Sequence, residues 1–240
     1  MFYKDYELAG IVVRVIEPGE YMVRKGRDYE TDKPYDFIIQ VDKNDIEFEK
    51  KTAMMMDKDG LLNFSDDEYQ FSAIYRKFCE EASKKNILLF HGSALEYQGE
   101  CVIITAPSGT GKSTHVRLWK DVYNVDIIND DKPLLKVKNN EIEVWGTPWN
   151  GKHDISINRC SKLKAICVLS RAKENSIVKV NAKNCLEELL NQIYRPRQVE
   201  NLVAVMDLTK NVLEKVDIYQ INCNMDRDAA VTVKREIFGE

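Results

Sequence analysis

No run of apolar residues in this chain approaches the ~18 needed to span a bilayer. Its first residues, MFYKDYELAG, hold no apolar stretch of the secretory-signal kind. The six cysteines, at 79, 101, 160, 167, 185 and 223, form no C-x-x-C pair, so the commonest metal and dithiol spacings are absent. There is no basic excess either: the net charge is −4, which argues against a nucleic-acid-binding face. Internal repeats and low-complexity tracts are also missing. These absences lead us to expect a cytoplasmic protein with reduced thiols that binds neither membrane nor nucleic acid. Whether it forms a homo-oligomer stays open.

What is present is a chain of 240 residues, 44% hydrophobic and 31% charged. That is enough for one sizeable α/β domain or a core with a smaller lobe. Residues 1–64 read as short strands and turns. GIVVRVI and YDFIIQV are strand-like, EPGE, TDKPY and MDKDGL carry turn chemistry, and IEFEKK alternates as a half-exposed strand would. Ser65 and Glu68 match a capping box, and Phe71, Ile74, Tyr75, Phe78 and Ala82 follow at helical spacing. We therefore expect a β-rich N-terminal lobe over 1–85, ending in a helix. From Ile87 strands and helices alternate, the pattern of an α/β layer architecture over 86–240. ILLF, CVIIT, VDIIND, LKAICVL and VDIYQIN read as strands, and PLLKVKNNEIEVWG as a hairpin about Asn139-Asn140. Helices are expected after Ser113, at about 183–194 and 198–211, and from about Asp226.

Residues 104–114, ITAPSGTGKST, are the most informative stretch. The phosphate-binding pattern G-x-x-x-x-G-K-[ST] aligns here with Ala106 through Ser113, Ala106 standing where the first glycine would be. Gly109 and Gly111 let the backbone turn sharply. Successive amides form an anion nest, and the helix that follows adds its positive end. Ser108, Gly109, Thr110, Gly111, Lys112, Ser113 and Thr114 would cradle a nucleotide, with Lys112 on the β- and γ-phosphates and Ser113 on Mg²⁺. A buried strand before the loop and a helix after it supply the context the motif requires. His115, next on that helix, reads as a surface or packing residue.

Transfer of a phosphoryl group also needs a carboxylate for the metal and a group to orient the acceptor. VDIINDDKP ends an apolar strand in Asp130 and Asp131, and Asp130 lies 18 residues past Lys112. That interval fits one helix and a return, which would bring the strand end beside the loop at the carboxyl edge of the sheet. One acid could hold Mg²⁺ while the other accepts the acceptor's proton. His91, in HGSA just upstream of the CVIIT strand, completes the set.

Together His91-Gly92, the turn about Gly99, CVIIT, Ser108 through Ser113 and Asp130-Asp131 resemble the HPr kinase/phosphorylase superfamily, over roughly residues 87 to 170. The smaller HPr-kinase-related proteins of peptide-modification pathways are the nearer likeness. The resemblance implies a phosphoenolpyruvate-carboxykinase-like P-loop core that uses ATP and Mg²⁺. It implies Lys112 on phosphate, Ser113 and Asp130 toward the metal, Asp131 as proton acceptor and His91 tuning it. The family's phosphorylase stretch is poorly reproduced, its nearest counterpart being EVWGTPWNGKHDIS with Glu143. The resemblance thus implies serine-kinase chemistry without phosphorolysis.

Two further stretches read as parts of an acceptor site. WGTPWNGK, residues 145–152, is a shaped, rigid loop with Lys152 as a cation for the transferring group. QIYRPRQ presents Arg195 and Arg197, suited to bind phosphate bidentately. We expect the acceptor to be a serine hydroxyl in a peptide or protein. A small molecule such as free serine, or a nucleotide-regulated peptide-binding module without turnover, stays open.

Overall fold

The computed structural model describes residues 2–56, 63–151 and 153–239. They divide into two units, Met1–Lys85 and Asn86–Glu240.

In the first unit, strands β1 (Tyr3–Leu8) and β2 (Ile11–Ile16) form a hairpin. Its two turn residues, Ala9 and Gly10, have φ of 51° and 73°, the left-handed pair whose twist matches that of the strands. Helix α1 (Glu20–Gly26) carries the chain over, so that β3 (Phe37–Gln40) returns parallel to β2. Helices α2 (Lys43–Met56) and α3 (Asp66–Ala82) complete the unit. Tyr6, Leu8, Val13, Val15, Ile39, Ile74 and Phe78 are its buried core. The capping box at the head of α3 forms: Ser65 Oγ accepts from the Glu68 amide and the Glu68 carboxylate accepts from the Ser65 amide.

The expected β-rich lobe is therefore a mixed one, three strands with three α-helices among the described residues. IEFEKK is helical, within α2. Its start signal is Asp42, whose carboxylate accepts from the Asp45 amide while Asp45 accepts from the Asp42 amide. Tertiary charge pairing then decides the matter. Arg76 of α3 reaches both Asp45 at 2.9 Å and Glu49 at 2.6 Å. Residues four apart come within reach of one guanidinium in a helix, at about 5–6 Å, whereas a strand would set them about 13 Å apart. Beyond Met56, the turn expected at MDKDGL lies outside the described residues.

The second unit is built on a nine-stranded sheet. Its strands are β4 (Ile87–Leu89), β5 (Ser93–Tyr97), β6 (Glu100–Thr105), β7 (Asp126–Asn129), β8 (Leu134–Lys138), β9 (Glu141–Trp145), β10 (Cys160–Arg171), β11 (Ser176–Val180) and β12 (Asp217–Cys223). The order is β4-β8-β9-β10-β6-β5-β7, with β12 beside β10 and β11 beside β12. β6, β10 and β12 are parallel, and β5 runs antiparallel to both β6 and β7. The carboxyl ends of β7, β6, β10 and β12 therefore share one edge. Both faces of the sheet are covered, which is why β6 is apolar along its length. Cys101 and Ile103 join the side holding helix α6 (Val199–Lys215). Val102 and Ile104 join the side holding α4 (Lys112–Tyr123) and α7 (Asp228–Phe238).

The hairpin turn at Asn139-Asn140 has positive φ at both positions. The helix expected over 183–194 is shorter. A 3-10 turn at Ala182–Cys185 leads into α5 (Leu186–Leu190), and the chain then leaves the helix. The cause is tertiary pairing: the amides of His91 and Tyr194 donate to the carbonyls of Gln192 and Leu89. Strand β11 was not foreseen; its exposed, lysine-bearing sequence lacks an apolar period. Among the described residues, no helix is long and apolar enough to cross a membrane.

Candidate active site

The residues between β6 and α4 form a tight loop. Gly109 and Gly111 have φ of 78° and 121°, conformations that favour glycine. Lys112 is the first residue of α4, and its ammonium donates to the Ala106 carbonyl at 2.8 Å. Burial lowers the Lys112 pKa, and the nearby Asp131 charge opposes that shift.

Asp130 and Asp131 follow β7 directly. Asn129, fully buried, sets their geometry. Its side-chain oxygen accepts from the amides of Asp131 and Lys132, while its NH₂ donates to Thr147. Ser93 and Gly92 then hold the carbonyls of Asp130 and Asp131. This clamp turns the two carboxylates to different partners. Asp130, 6% exposed, accepts from the Gly151 amide at 2.6 Å. Burial raises its pKa, and the charge of Asp131 adds to the shift. Asp131 faces His91 Nε2 at 3.1 Å and the Lys132 ammonium at 3.1 Å. Burial alone would raise its pKa, but the His91 hydrogen bond and the Lys132 charge more than offset that, holding it at about 2.

His91 is oriented from its other ring nitrogen, where Nδ1 lies 2.9 Å from Gln192 Oε1. The side-chain amide of Gln192 can meet either form of the imidazole. Its oxygen accepts from an imidazolium and its NH₂, after a 180° turn, donates to the neutral ring. Asp131 thus sits at the end of a chain that tolerates a proton arriving or leaving.

One cavity of about 490 Å³ gathers His91, Ser108, Gly109, Gly111, Lys112, Ser113, Thr114, Asp130 and Asp131. Gly151, His153 and Arg171 complete its lining. Thr110 lies just outside it, bordering a neighbouring cavity. Arg195 and Arg197 do not line this cavity. Both are exposed, and Arg195 donates to Asn191. That segment's contribution is Gln192. Lys152 lies outside the described residues, although its neighbours Gly151 and His153 border the cavity. Glu143 is engaged on β9 with Trp145 and Lys138, and is not part of the lining. In the WGTPWNGK loop, Trp149 and Thr147 are buried. Gly146 has no room for a Cβ, which would meet the Ile157 carbonyl oxygen at 2.0 Å.

The sequence reading missed Arg171, which ends β10 and donates to the carbonyls of Gly109 and Thr110. A cation at the carboxyl end of a buried strand was the available signal. Gln192 and the Gly151 amide carried none, because tertiary pairing alone brings them in. His115 is buried, and burial pushes its imidazole down to about 4. Among the described residues, no group of three or more His, Cys, Asp or Glu could hold a metal.

Fold and site define a mixed α/β protein in which strand, glycine-rich loop and helix meet a pair of aspartates at one sheet edge. The chain belongs to the family described as SynChlorMet cassette protein ScmC, whose model matches residues 66–232. No curated protein sequence matches it. Among solved structures, the chain is similar to the Hpr(Ser) kinase/phosphatase from Coxiella burnetii, with 13% identity and a TM-score of 0.30. That alignment covers 52% of this chain and 91% of the other.

Proposed function

We propose that the protein is an ATP- and Mg²⁺-dependent kinase that transfers the γ-phosphoryl group to a serine hydroxyl of a peptide or protein. The observation that carries this reading is the convergence of Lys112, Asp130 and the Asp131–His91–Gln192 chain on one cavity beside the glycine-rich loop. Lys112 and the amides at the head of α4 would bind phosphate oxygens. Ser113 and Asp130 are the residues to hold Mg²⁺. They fit it: Asp130 is a buried carboxylate with one oxygen on the Gly151 amide, and it lines the same cavity as Ser113 and Asp131, where a divalent cation would offset the paired negative charge. Mg²⁺ in kinases is held by one or two protein oxygens plus phosphate, so no larger acidic cluster is needed. When bound, it neutralises charge on the transferring group.

Asp131 then acts on the acceptor. The serine oxygen bonds to the γ-phosphorus, the bond from that phosphorus to the β-bridging oxygen breaks, and ADP leaves. The hydroxyl proton passes to Asp131. A carboxylate held at about 2 is a weak base, so the proton moves late, once the serine oxygen has begun to bond phosphorus. A peptide acceptor is favoured by the loop from Trp145 to Gly151, whose last residue borders the cavity. It is also favoured by β3 of the first unit, which pairs only with β2 among the described strands and so leaves an edge for an extended segment.

The test is incubation with Mg-ATP and a panel of serine peptides alongside free serine, read by mass spectrometry for a phosphate adduct. Wild type should modify a peptide, and Asp131→Asn should do so about 10²-fold more slowly. Modification of free serine at rates no peptide matches would refute the peptide acceptor.

A further inference from the structure

A second cavity, of about 350 Å³, borders the same loop and is lined by Thr110, Gly111, Thr114, His115, Leu169, Arg171, Ala172, Cys223, Asn224 and Met225. Its volume falls in the range of small-molecule sites. It shares Gly111, Thr114 and Arg171 with the phosphate-loop cavity, so the two adjoin. Their places in the sheet differ. The aspartates and His91 lie on the β5–β7 side of the loop. The second cavity lies at the carboxyl ends of β10 and β12, on the other side.

His115 is the second observation. Its ring is 2% exposed, and Trp119 Nε1 lies 3.2 Å from its Nε2. An indole N–H can only donate, so Nε2 is the acceptor and the ring proton sits on Nδ1. That Nδ1–H is buried and meets no hydrogen-bond partner. Such a donor costs free energy unless something supplies an acceptor. Asn224 is not the reader here, because its side chain is spent on Asp226 and the Lys173 carbonyl within its own loop.

We infer that this cavity takes the purine base of the donor nucleotide, with the Nδ1–H of His115 donating to a ring nitrogen. Leu169, Ala172, Cys223 and Met225 cover the apolar faces of the base. The phosphate chain then crosses the loop past Gly111 and Thr114, delivering its far end to Asp131. Donor and acceptor thus approach the loop from opposite sides of β6. The inference rests on the phosphate-loop reading proposed above and adds the base specificity of that site.

Calorimetry with inorganic triphosphate, ATP, GTP, CTP and UTP, each with Mg²⁺, separates the two. Triphosphate binding that is lost in Lys112→Ala establishes the loop. Covering about 60 Å² of apolar base should then make ATP about tenfold tighter than triphosphate, with pyrimidine nucleotides gaining less. His115→Phe should remove about 3- to 10-fold of the ATP affinity, one neutral hydrogen bond, and leave triphosphate binding unchanged. Met225→Ser, at a position 75% exposed where the fold is not at stake, should likewise weaken ATP only. The ¹⁵N resonance of His115 Nδ1 should shift with ATP and not with triphosphate. ATP no tighter than triphosphate, with the Lys112 dependence intact, overturns the base site and spares the loop. Triphosphate and ATP binding that both ignore Lys112 overturns both.

Discussion

Replacing Asp131 with Asn keeps the shape of the side chain and one acceptor oxygen but removes the charge. In the wild type that charge lies 3.1 Å from both His91 Nε2 and Lys132 Nζ, and together they hold the carboxyl at about 2. So weak a base helps only late in the reaction, which places its loss at the low end of general-base effects, about 10²-fold or about 2.7 kcal/mol of barrier. Nucleotide binding should move the other way. The charge of Asp131 repels a phosphate bound in the same cavity, so Asp131→Asn should bind Mg-ATP as tightly as wild type or more so. His91 acts through Asp131, since its other nitrogen is occupied by Gln192. His91→Asn alone should cost about tenfold in rate, and less than twofold when added to Asp131→Asn. The assay is single-turnover formation of ADP and phosphopeptide by rapid quench, with calorimetry for affinity. A rate in Asp131→Asn above a third of wild type would refute the base assignment. An equal His91 effect in both backgrounds would refute the coupling.

Lys112→Ala should weaken Mg-ATP by about 10- to 150-fold, the range of hydrogen bonds to charged groups, and abolish transfer; unchanged titration isotherms would remove the phosphate loop. Gly146→Ala should destabilise the second unit by about 3 kcal/mol or more, because the new Cβ would lie 2.0 Å and 2.8 Å from the carbonyl oxygens of Ile157 and Ile128; a urea midpoint within error of wild type would contradict this packing. Arg76→Met should destabilise the first unit by about 1–3 kcal/mol at pH 7, since Asp45 and Glu49 lose their shared partner. Burial acts to raise the Asp45 pKa, yet bonds from Lys77 and Arg76 leave it lowered. Its stabilising contribution is therefore complete above the ordinary carboxylate range and lost as pH falls through the lowered value. Urea titrations from pH 7 to 3 should show wild type losing more stability in acid than Arg76→Met, and parallel curves would disprove the linkage.

Local signals were legible where short-range chemistry leaves the chain one option. Ser65 and Glu68 cap α3 by reciprocal bonds three residues apart. Asn139-Asn140 closes its hairpin because both residues tolerate positive φ. The apolar run of β6, the glycines after it and the amphipathic α4 place a strand, a tight loop and a helix in that order. Asp130 and Asp131 stand at a strand end for the same reason, since apolar VDII must be buried before the acids appear. The order of the elements and the chemistry each one carries are thus written along the chain.

The tertiary structure decided which chemistry meets. IEFEKK has a strand-like alternation, yet Arg76, 27 residues past Glu49, selects the helix. Residues 191–197 have helical neighbours, yet pairing with Leu89 and His91 pulls them straight and delivers Gln192 rather than Arg195 or Arg197. Gly151 finds Asp130 across 21 residues, and Arg171 reaches the loop across 62. The Gly151 contact leaves no local trace, because a backbone amide reads alike wherever it falls, and the strand end that marks Arg171 as a cation does not name its partner. Their partners are set by the register and order of the strands, and those are settled only when the whole sheet buries both of its faces.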